Sequence, residues 1–300
     1  MNTVLRLIAL ACATSSIAAV AADLHITDDT GAELHLTQPA RRIVSLAPHL
    51  TELLFAAGAG SKVVGVVSYS DFPEAAKALP QVGSYTNVDM EALAALKPDL
   101  VVAWKSGNRN AHLERLSALG IPVFVNEPRN LDDVARALEI LGELAGTSAE
   151  AHAAASRFRE RLSALRSRYS ALPPVRTFYQ VWDRPLMTIN GEHLIGDVIR
   201  LCGGENVFAN LPQLAPTVSA EAVLAANPEA IVASGMGEAR PEWLDQWRRW
   251  PGMSAVASDN LFFIPPTIIQ RHTPRILDGA TRLCEQLDSA RRRRPQGGIK

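Results

Sequence analysis

Residues 90–103 have the sequence MEALAALKPDLVVA, and residues 220–233 repeat its pattern as AEAVLAANPEAIVA. Each copy predicts a short helix that begins at an acidic residue, a stop at Lys-Pro or Asn-Pro, and then a buried strand. About 130 residues separate the copies, which is far longer than the ~20–50-residue period of a solenoid. We therefore predict that one α/β domain occurs twice. Two such lobes indicate a ligand site between them.

Strands and helices alternate on both sides of each repeat, which favours mostly parallel sheets covered on both faces. A helix is predicted over 52–57 and a long loop over 205–219. Besides the repeat strand of the second lobe, the predicted strands cover 43–46, 63–67, 100–103, 123–125, 176–181 and 262–264.

A stretch without Gly or Pro joins the lobes, from Thr147 to about Leu172. At ~1.5 Å per residue, a helix here is more than ~30 Å long and reaches from one lobe to the other. Its start, TSAE at 147–150, predicts a capping box. The predicted organisation is a signal peptide over 1–22, an N-terminal lobe over 23–145, a connecting helix over 146–172, a C-terminal lobe over 173–290 and a disordered basic tail over 291–300.

The composition is that of a folded protein, with 47% hydrophobic and 20% charged residues among 300. A net charge of −1 argues against a nucleic-acid partner. Arg6, the apolar run 7–13 and the small residues 19–22 follow the order of a secretory signal, with cleavage expected after Ala21 or Ala22. We therefore expect an exported protein. A lipid anchor at Cys12 is the alternative to plain cleavage.

The mature chain keeps two cysteines, Cys202 and Cys284. Two cysteines in an exported chain suggest one disulfide, and the alternative is two buried free thiols.

Aromatic and neutral polar residues follow the predicted strands, where open parallel sheets bind their ligands. Such a set suits a large, flat and partly apolar ligand held by stacking. A single aromatic more often belongs to the core or the surface, but several at strand ends of both lobes favour a ligand. The residues are His49, Tyr69, Trp104, Trp182, Thr267 and Arg271, with Tyr85 in the loop before the first repeat helix.

The patterns of common enzymes and metal sites do not occur. The chain has no G-x-S-x-G, H-E-x-x-H or P-loop sequence, and its seven histidines show no metal-binding spacing. We predict no catalytic residue and no metal site. Glu91 and Glu221 begin the two repeat helices, where the helix dipole favours acids. Alternatively, they are matched exposed charges that face a two-fold partner.

The chain resembles the periplasmic vitamin B12-binding proteins of bacterial ABC importers, within the helical-backbone class of substrate-binding proteins. The resemblance covers about residues 41–288. Its segments are SLAPHLTEL at 45–53, SYSDFP at 68–73, LKPDLVVAW at 96–104, CGGENVF at 202–208 and TPRI at 273–276.

The resemblance implies two lobes joined by one long helix, with cobalamin or a related corrinoid as transported ligand and no catalytic cofactor. Glu91 and Glu221 would dock a membrane ABC permease dimer, Cys202 and Cys284 would form the family disulfide, and the free protein would be a monomer. The implied ligand contacts are Tyr69, Tyr85 and Trp104 from the first lobe, and Thr267, Ile268, Ile269, Gln270 and Arg271 from the second.

Three positions depart from the family pattern. Tyr85 stands where that pattern has Trp, and His49 stands where it has a small residue. The family pattern has an aromatic residue around 214–216, where this chain has none, and we expect Trp182 to take its place.

Two other ligands and one other function stay open at this point. Haem would use Tyr69, Tyr85 or His49 as axial ligand, and a ferric siderophore would use Arg271. A secreted enzyme would use His49 and Asp71 as an acid–base pair. The connecting helix is expected to limit hinge motion, so that binding moves the lobes little.

Overall fold

The computed structural model describes residues 23–235 and 237–294. The predicted signal peptide, Cys12 and residues 295–300 lie outside the described residues. The described chain starts with an antiparallel hairpin of β1 (Leu24–Thr27) and β2 (Glu33–Leu36). Its alternate residues face the hydrophobic core, as period-two patterning requires.

The first lobe is a four-stranded parallel sheet in the order β4-β3-β5-β6. Its inner face and its outer face are both covered, since Val102 of β5 packs into the central core while Val101 packs into a second cluster with Leu93 and Leu116. The elements are β3 (Ile43–Ser45), α1 (Pro48–Ala56), β4 (Val63–Gly65), α2 (Met90–Ala95), β5 (Leu100–Trp104), α3 (Asn110–Ala118) and β6 (Val123–Asn126).

Helix α1 begins four residues before the predicted start at Glu52. Pro48 occupies the first helical turn, where its fixed φ suits the helix and its missing NH is not needed. Pro48 therefore starts a helix rather than only ending a strand. As a consequence His49 lies in the first turn of α1, and Glu52 lies inside the helix.

Two helices, α4 (Leu131–Ala145) and α5 (Ser148–Tyr169), pack closely against each other. A Cβ at Gly142 would lie 2.1 Å from the Ala151 Cβ, so only glycine allows this approach. The capping box predicted at Thr147 is wrong, because the Thr147 hydroxyl donates to the Ala57 carbonyl at 2.6 Å instead.

Helix α5 is the long connecting helix, and its 22 residues span roughly 33 Å. It contacts α1 and α4 on one side and elements of the second lobe on the other. An ion pair between Arg161 and Asp278 adds to these contacts. The boundaries drawn for the lobes from the sequence stay a prediction.

The second lobe repeats the first. Its sheet has the order β10-β7-β11-β12. When the four strands of each sheet are numbered along the chain, both sheets have the order 2-1-3-4. The elements are β7 (Val175–Gln180), β8 (Trp182–Asp183), β9 (Leu186–Met187), α6 (Leu194–Leu201), β10 (Gly204–Asn206), α7 (Ala220–Ala226), β11 (Ala230–Ala233), α8 (Ser254–Ala257), β12 (Leu261–Phe263), α9 (Pro266–Ile269) and α10 (Ile276–Arg292).

The predicted loop over 205–219 is wrong at its start, where β10 pairs with β7 in parallel. The Asn206 side chain fixes this short strand by donating to the Ile189 carbonyl at 2.9 Å. Cys202, at the end of α6, forms the predicted disulfide with Cys284 of α10.

The prediction of a disordered tail from residue 291 is also wrong for residues 291–294. Helix α10 continues to Arg292. Arg291 donates to the carbonyl oxygens of Pro173 and Cys202 at 2.7 Å and 2.6 Å, and Arg294 pairs with Glu229 at 2.7 Å. Arg291 and Arg294 therefore bind carbonyl and carboxylate groups of their own lobe. Within residues 23–235 and 237–294, no helix has the length and apolarity needed to cross a bilayer.

Candidate functional site

The two lobes meet close to the carboxyl ends of their strands. His49, which follows β3, and Trp104, which ends β5, contact His272 of the second lobe at ring-centroid distances of 5.2 Å and 6.1 Å. His272 lies just after α9, which follows β12. We call the boundary that these residues form the cleft.

Trp104 is the centre of the first lobe's wall of the cleft. Its ring packs edge-on against His49 at 5.1 Å and lies 5.9 Å from Tyr85. A Cβ at Gly107 would lie 1.9 Å from the Trp104 ring, so the indole packs directly against the backbone of Gly107. The indole nitrogen is buried without a partner among the described residues, which leaves a donor available at the cleft.

Asn108 fixes the position of this wall, although it is not among the ligand contacts expected from the sequence. It accepts from the Trp104 backbone NH at 2.7 Å and donates to the carbonyl oxygens of Leu46 and Tyr85 at 3.0 Å and 2.7 Å. It therefore ties the ends of β3 and β5 to the Tyr85 loop. Its place after a strand, beside a glycine that supports Trp104, was the available signal.

Large apolar side chains are exposed at the rim of the cleft. Tyr69 is 76% exposed, and Phe72 and Tyr85 are exposed as well. Tyr69 also has a φ of 66°, a conformation that a bulky residue rarely adopts. Strain and exposed aromatic surface at one site are typical of a place where a ligand binds.

The second lobe contributes the predicted segment 267–271. Thr267 donates to Glu238 at 3.0 Å, and Gln270 donates to the Ser234 hydroxyl at 3.0 Å. Ile269 is fully buried in the core, which leaves its side chain no surface for a ligand, and Ile268 packs partly against the same core.

Arg271 holds the lobes together in this structure. Its guanidinium pairs with Glu52 and Asp71 of the first lobe, each at 2.7 Å, and donates to the Tyr69 carbonyl. Arg275 binds both carboxylate oxygens of Glu52, whose side chain is only 2% exposed. We call these four side chains the interlobe ion-pair cluster. Burial opposes the charge of Arg271, but hydrogen bonds to Asp71 and Glu52 raise its pKa.

Three histidines lie together in the cleft, and His193 and His272 were missed from the sequence. His193 caps α6 by accepting from the Ile195 NH at 3.1 Å, and its ring lies 5.9 Å from that of His272. Burial and the charge of Arg271 lower the pKa of His49 to about 3. Burial and Arg129 lower that of His193 to about 4, and burial, His49, His193 and Arg129 hold that of His272 well below its usual value. All three are neutral at pH 7.

The cleft is closed. The cavity that Trp104, Glu127, His193 and His272 line measures about 20 Å³, close to the space that one water needs. Pockets for drug-sized ligands measure roughly 300–1,000 Å³. The interlobe ion-pair cluster and the packed histidines fill this part of the cleft, so a large flat ligand would need the lobes to separate here. How far binding moves the lobes stays a prediction.

Trp182, Glu91 and Glu221 lie apart from this cluster of rings. The Trp182 indole donates to the Arg184 carbonyl at 3.0 Å inside the β8–β9 hairpin. Glu91 and Glu221 are exposed in the first turns of α2 and α7. The Glu221 backbone NH and the Ser219 hydroxyl lower the pKa of the Glu221 carboxyl.

The side chains of Asp23, His25 and His35 form a further group, on the exposed face of the β1–β2 hairpin. Pairing across the hairpin stacks the two imidazoles at 4.4 Å, with Asp23 against both. Their ligand atoms are close enough to hold a metal ion, which spacing in the sequence did not indicate.

Comparisons with known proteins agree with this fold. The profile of the family described as periplasmic binding protein matches residues 43–268. The vitamin B12-binding protein of Yersinia pestis (strain Pestoides F) is 39% identical over 262 residues, which cover 84% of this chain and 88% of the relative. The structure of the periplasmic vitamin B12 binding protein BtuF of Vibrio cholerae has a TM-score of 0.78 and 37% identity, and the match covers 84% of this chain and 98% of that protein.

A more distant structure shares the fold alone. The periplasmic heme-binding protein RhuT from Roseiflexus sp. RS-1 has a TM-score of 0.72 at 22% identity, covering 84% of this chain and 99% of that protein. The family match over most of the chain, together with the identity to the Yersinia and Vibrio proteins, is decisive. This chain belongs to the periplasmic binding protein family, alongside its vitamin B12-binding members.

Proposed function

We propose that this protein captures vitamin B12, or a related corrinoid, between its two lobes in the periplasm and delivers it to an ABC permease. The observation that carries the proposal is the 39% identity to a vitamin B12-binding protein along 84% of the chain. In this proposal the signal peptide over 1–22 is cleaved, and the lobes over 23–145 and 173–290 close on the ligand around the helix at 146–172.

The side chains in the first lobe's wall of the cleft suit a flat macrocyclic ligand. Tyr69, Tyr85 and Trp104 offer aromatic surface, and the Trp104 NH has no partner of its own in the described chain. Aromatic faces and a few hydrogen-bond donors suit a ring system with amide substituents. Thr267, Gln270 and Arg271 would contact the ligand from the second lobe, once opening frees Arg271 from Glu52.

Catalysis at His49 and Asp71 has little support. Asp71 is paired with Arg271, and an imidazole whose pKa is about 3 is a poor base at neutral pH. We therefore propose binding and delivery without a chemical step, with the corrinoid as cargo rather than cofactor.

Calorimetric titration of the mature protein with cyanocobalamin and with haem tests the proposal. We expect one cyanocobalamin per chain and weaker binding of haem. Tyr69→Ala should weaken binding by ~1–4 kcal/mol without a loss of thermal stability, because Tyr69 is exposed. Leu119→Ala, at a second exposed apolar side chain, is the matched control. Tight haem binding with no response to cyanocobalamin would refute the proposal.

A further inference from the structure

Two histidines lie directly opposite each other on the exposed face of the β1–β2 hairpin. The strand register pairs His25 with His35, and their imidazole rings stack with centroids 4.4 Å apart. The Asp23 carboxylate is hydrogen-bonded to His35 Nε2, and it lies 3.5 Å from His25 Nε2. Two imidazole nitrogens and one carboxylate therefore converge at one place on the surface.

The buried side of the hairpin fixes this arrangement. The residues that alternate with the two histidines are leucine or isoleucine, and they are buried in the central core. They are Leu24, Ile26, Leu34 and Leu36. A slip of the register by one residue would turn them to solvent, so the register is strongly specified. The fold thereby holds His25 opposite His35, as a cross-strand pair whose Cβ atoms are ~4.5–5.5 Å apart.

The three donors suit a divalent transition ion. Zn²⁺ binds histidine nitrogen and aspartate oxygen, whereas Ca²⁺ and Mg²⁺ prefer ligand sets made of oxygen. The hydrogen bond with His35 lowers the pKa of the Asp23 carboxyl. The carboxylate is therefore ionised at neutral pH, as a metal ligand must be.

The spacing of the ligand atoms is close to what Zn²⁺ requires. The atoms lie within 4.8 Å of one another, and no other group of three such side chains does so in the part of the chain that the structure describes. Around a tetrahedral Zn²⁺ with bonds of ~2.0–2.1 Å, ligand atoms are about 3.3 Å apart. All three side chains are exposed, so rotation about their own bonds supplies the inward movement of about 1 Å that this needs.

Hydrogen bonding within the group explains only part of its geometry. The Asp23 carboxylate satisfies the His35 nitrogen, but the His25 nitrogen lies at 3.5 Å, beyond the usual N–H···O range of ~2.7–3.2 Å. The carboxylate also balances at most one imidazolium charge, so two protonated rings in a stack would repel each other. A metal ion would instead use the lone pairs of both neutral rings.

We propose that Asp23, His25 and His35 bind one Zn²⁺ or a similar divalent transition ion, with water completing its coordination. The prediction of no metal site rested on spacing along single segments of the sequence, and pairing across the hairpin joins two segments. The ion would tie β1 to β2 near the start of the mature chain, where chain ends tend to fray. The proposal is independent of the proposed function, since none of the three side chains forms the cleft.

The two expected cleavage sites determine how the test is done. Cleavage after Ala22 would place His25 third from a free amino group, and such a terminus binds Cu²⁺ and Ni²⁺ through its own backbone nitrogens. Cleavage after Ala21 would place His25 fourth. The probe is therefore Zn²⁺, and the protein is the tag-free mature chain that begins at Ala22, so that binding reports on the side chains.

Calorimetric titration of this chain with zinc chloride tests the site, and we expect one Zn²⁺ per chain. His25→Ala, His35→Ala and Asp23→Asn should each weaken binding at least about tenfold, since even groups that only support metal ligands are worth ~10–100-fold. His152→Ala is the matched control, because His152 is an exposed histidine of α5 that also lies 3.5 Å from a carboxylate, that of Glu139. It should bind Zn²⁺ as the unsubstituted chain does.

X-ray absorption at the zinc edge identifies the ligands without any substitution, so it decides the matter even if a variant fails to fold. We expect two imidazole nitrogens at ~2.0–2.1 Å, with oxygen ligands beside them. A spectrum without imidazole would overturn the proposal. So would undiminished binding by His25→Ala with His35→Ala, or the absence of Zn²⁺ binding by the unsubstituted chain.

Discussion

Arg271 of the second lobe donates a hydrogen bond of 2.7 Å to Glu52 of the first lobe, although 219 positions separate them in the sequence. Glu52 is buried, and both of its carboxylate oxygens accept from arginines of the other lobe. The contact that joins the two lobes is therefore a buried carboxylate whose partners both belong to the other lobe.

We expect Glu52→Gln to lower the free energy of unfolding by about 3 kcal/mol, because it leaves Arg275 without its carboxylate partner and Arg271 with Asp71 alone. The figure is at the lower end of the usual range, since Arg271 and Arg275 retain some solvent contact. We also expect the open form to become populated. Denaturant unfolding measures the first effect, and an increased radius of gyration in X-ray scattering measures the second.

Glu139→Gln is the matched control, because Glu139 also binds an arginine, Arg159, through both oxygens but lies nearer the surface of the helices. Its loss should cost only about 0–1 kcal/mol, as exposed pairs do. Equal effects of the two substitutions would contradict the view that Glu52 holds the lobes closed.

The second prediction concerns Asn108. Asn108→Ala removes one acceptor and two donor contacts from the wall of the cleft, which should destabilise the fold by about 1–3 kcal/mol. Corrinoid affinity should fall several-fold, because Trp104 and the Tyr85 loop lose their common tie. Asn108→Asp keeps the acceptor and loses the donors, so it should also weaken binding.

Asn110→Ala, at the exposed start of α3, is the control for this change. Calorimetry with cyanocobalamin and thermal unfolding give the two readouts. Unchanged affinity in a destabilised Asn108→Ala protein would make Asn108 a residue of the fold alone.

The repeat was predictable because a helix, a proline stop and a buried strand each have a local signal. That local pattern appears twice, and the sheets accordingly have the same strand order. Strand β10 had no such signal, since Gly204, Glu205 and Asn206 lack an apolar pattern and pair through their backbone. The start of α1 was misplaced because proline marks the end of one element as readily as the start of the next.

One wall of the cleft could be located from the sequence for the same reason. Aromatic residues after strands identify one wall, and Tyr69, Tyr85 and Trp104 lie there. The pairing of Glu52 with Arg271 and the contact of His49 with His272 depend on how two lobes close. These contacts between the lobes leave no pattern of spacing in the sequence from which they could be predicted.

The third prediction concerns pH. The folded protein keeps His49 and His193 neutral, with pKa values of about 3 and about 4, and holds that of His272 well below its usual value. In the unfolded chain these groups titrate near ~6.5. Stability is therefore complete above pH ~6.5 and is lost as the pH falls from there toward the folded values.

Each such histidine should lower the free energy of unfolding by up to about 1.4 kcal/mol per pH unit in that window. Arg271 beside His49, and Arg129 beside the other two, strengthen the effect because they oppose a second positive charge. We expect His49→Gln with His272→Gln to flatten the dependence between pH 6 and 4, as denaturant unfolding would measure. Parallel curves for wild type and variant would show that acid acts elsewhere.

The last prediction concerns Glu91 and Glu221, which occupy the same position in the two copies of the repeat. Both are exposed, in the first turns of α2 and α7, and these helices precede equivalent strands of two sheets with the same order. A two-fold symmetric permease presents its cations in matching pairs. Charges at the rim of such an interface act mainly on the rate and salt dependence of docking.

We expect Glu91→Ala with Glu221→Ala to leave corrinoid affinity unchanged and to slow uptake by permease in reconstituted vesicles, most strongly at low salt. Glu74→Ala with Glu114→Ala, at two other exposed acids of the first lobe, controls for net charge. Equal uptake by both double variants would leave Glu91 and Glu221 as residues that only begin their helices.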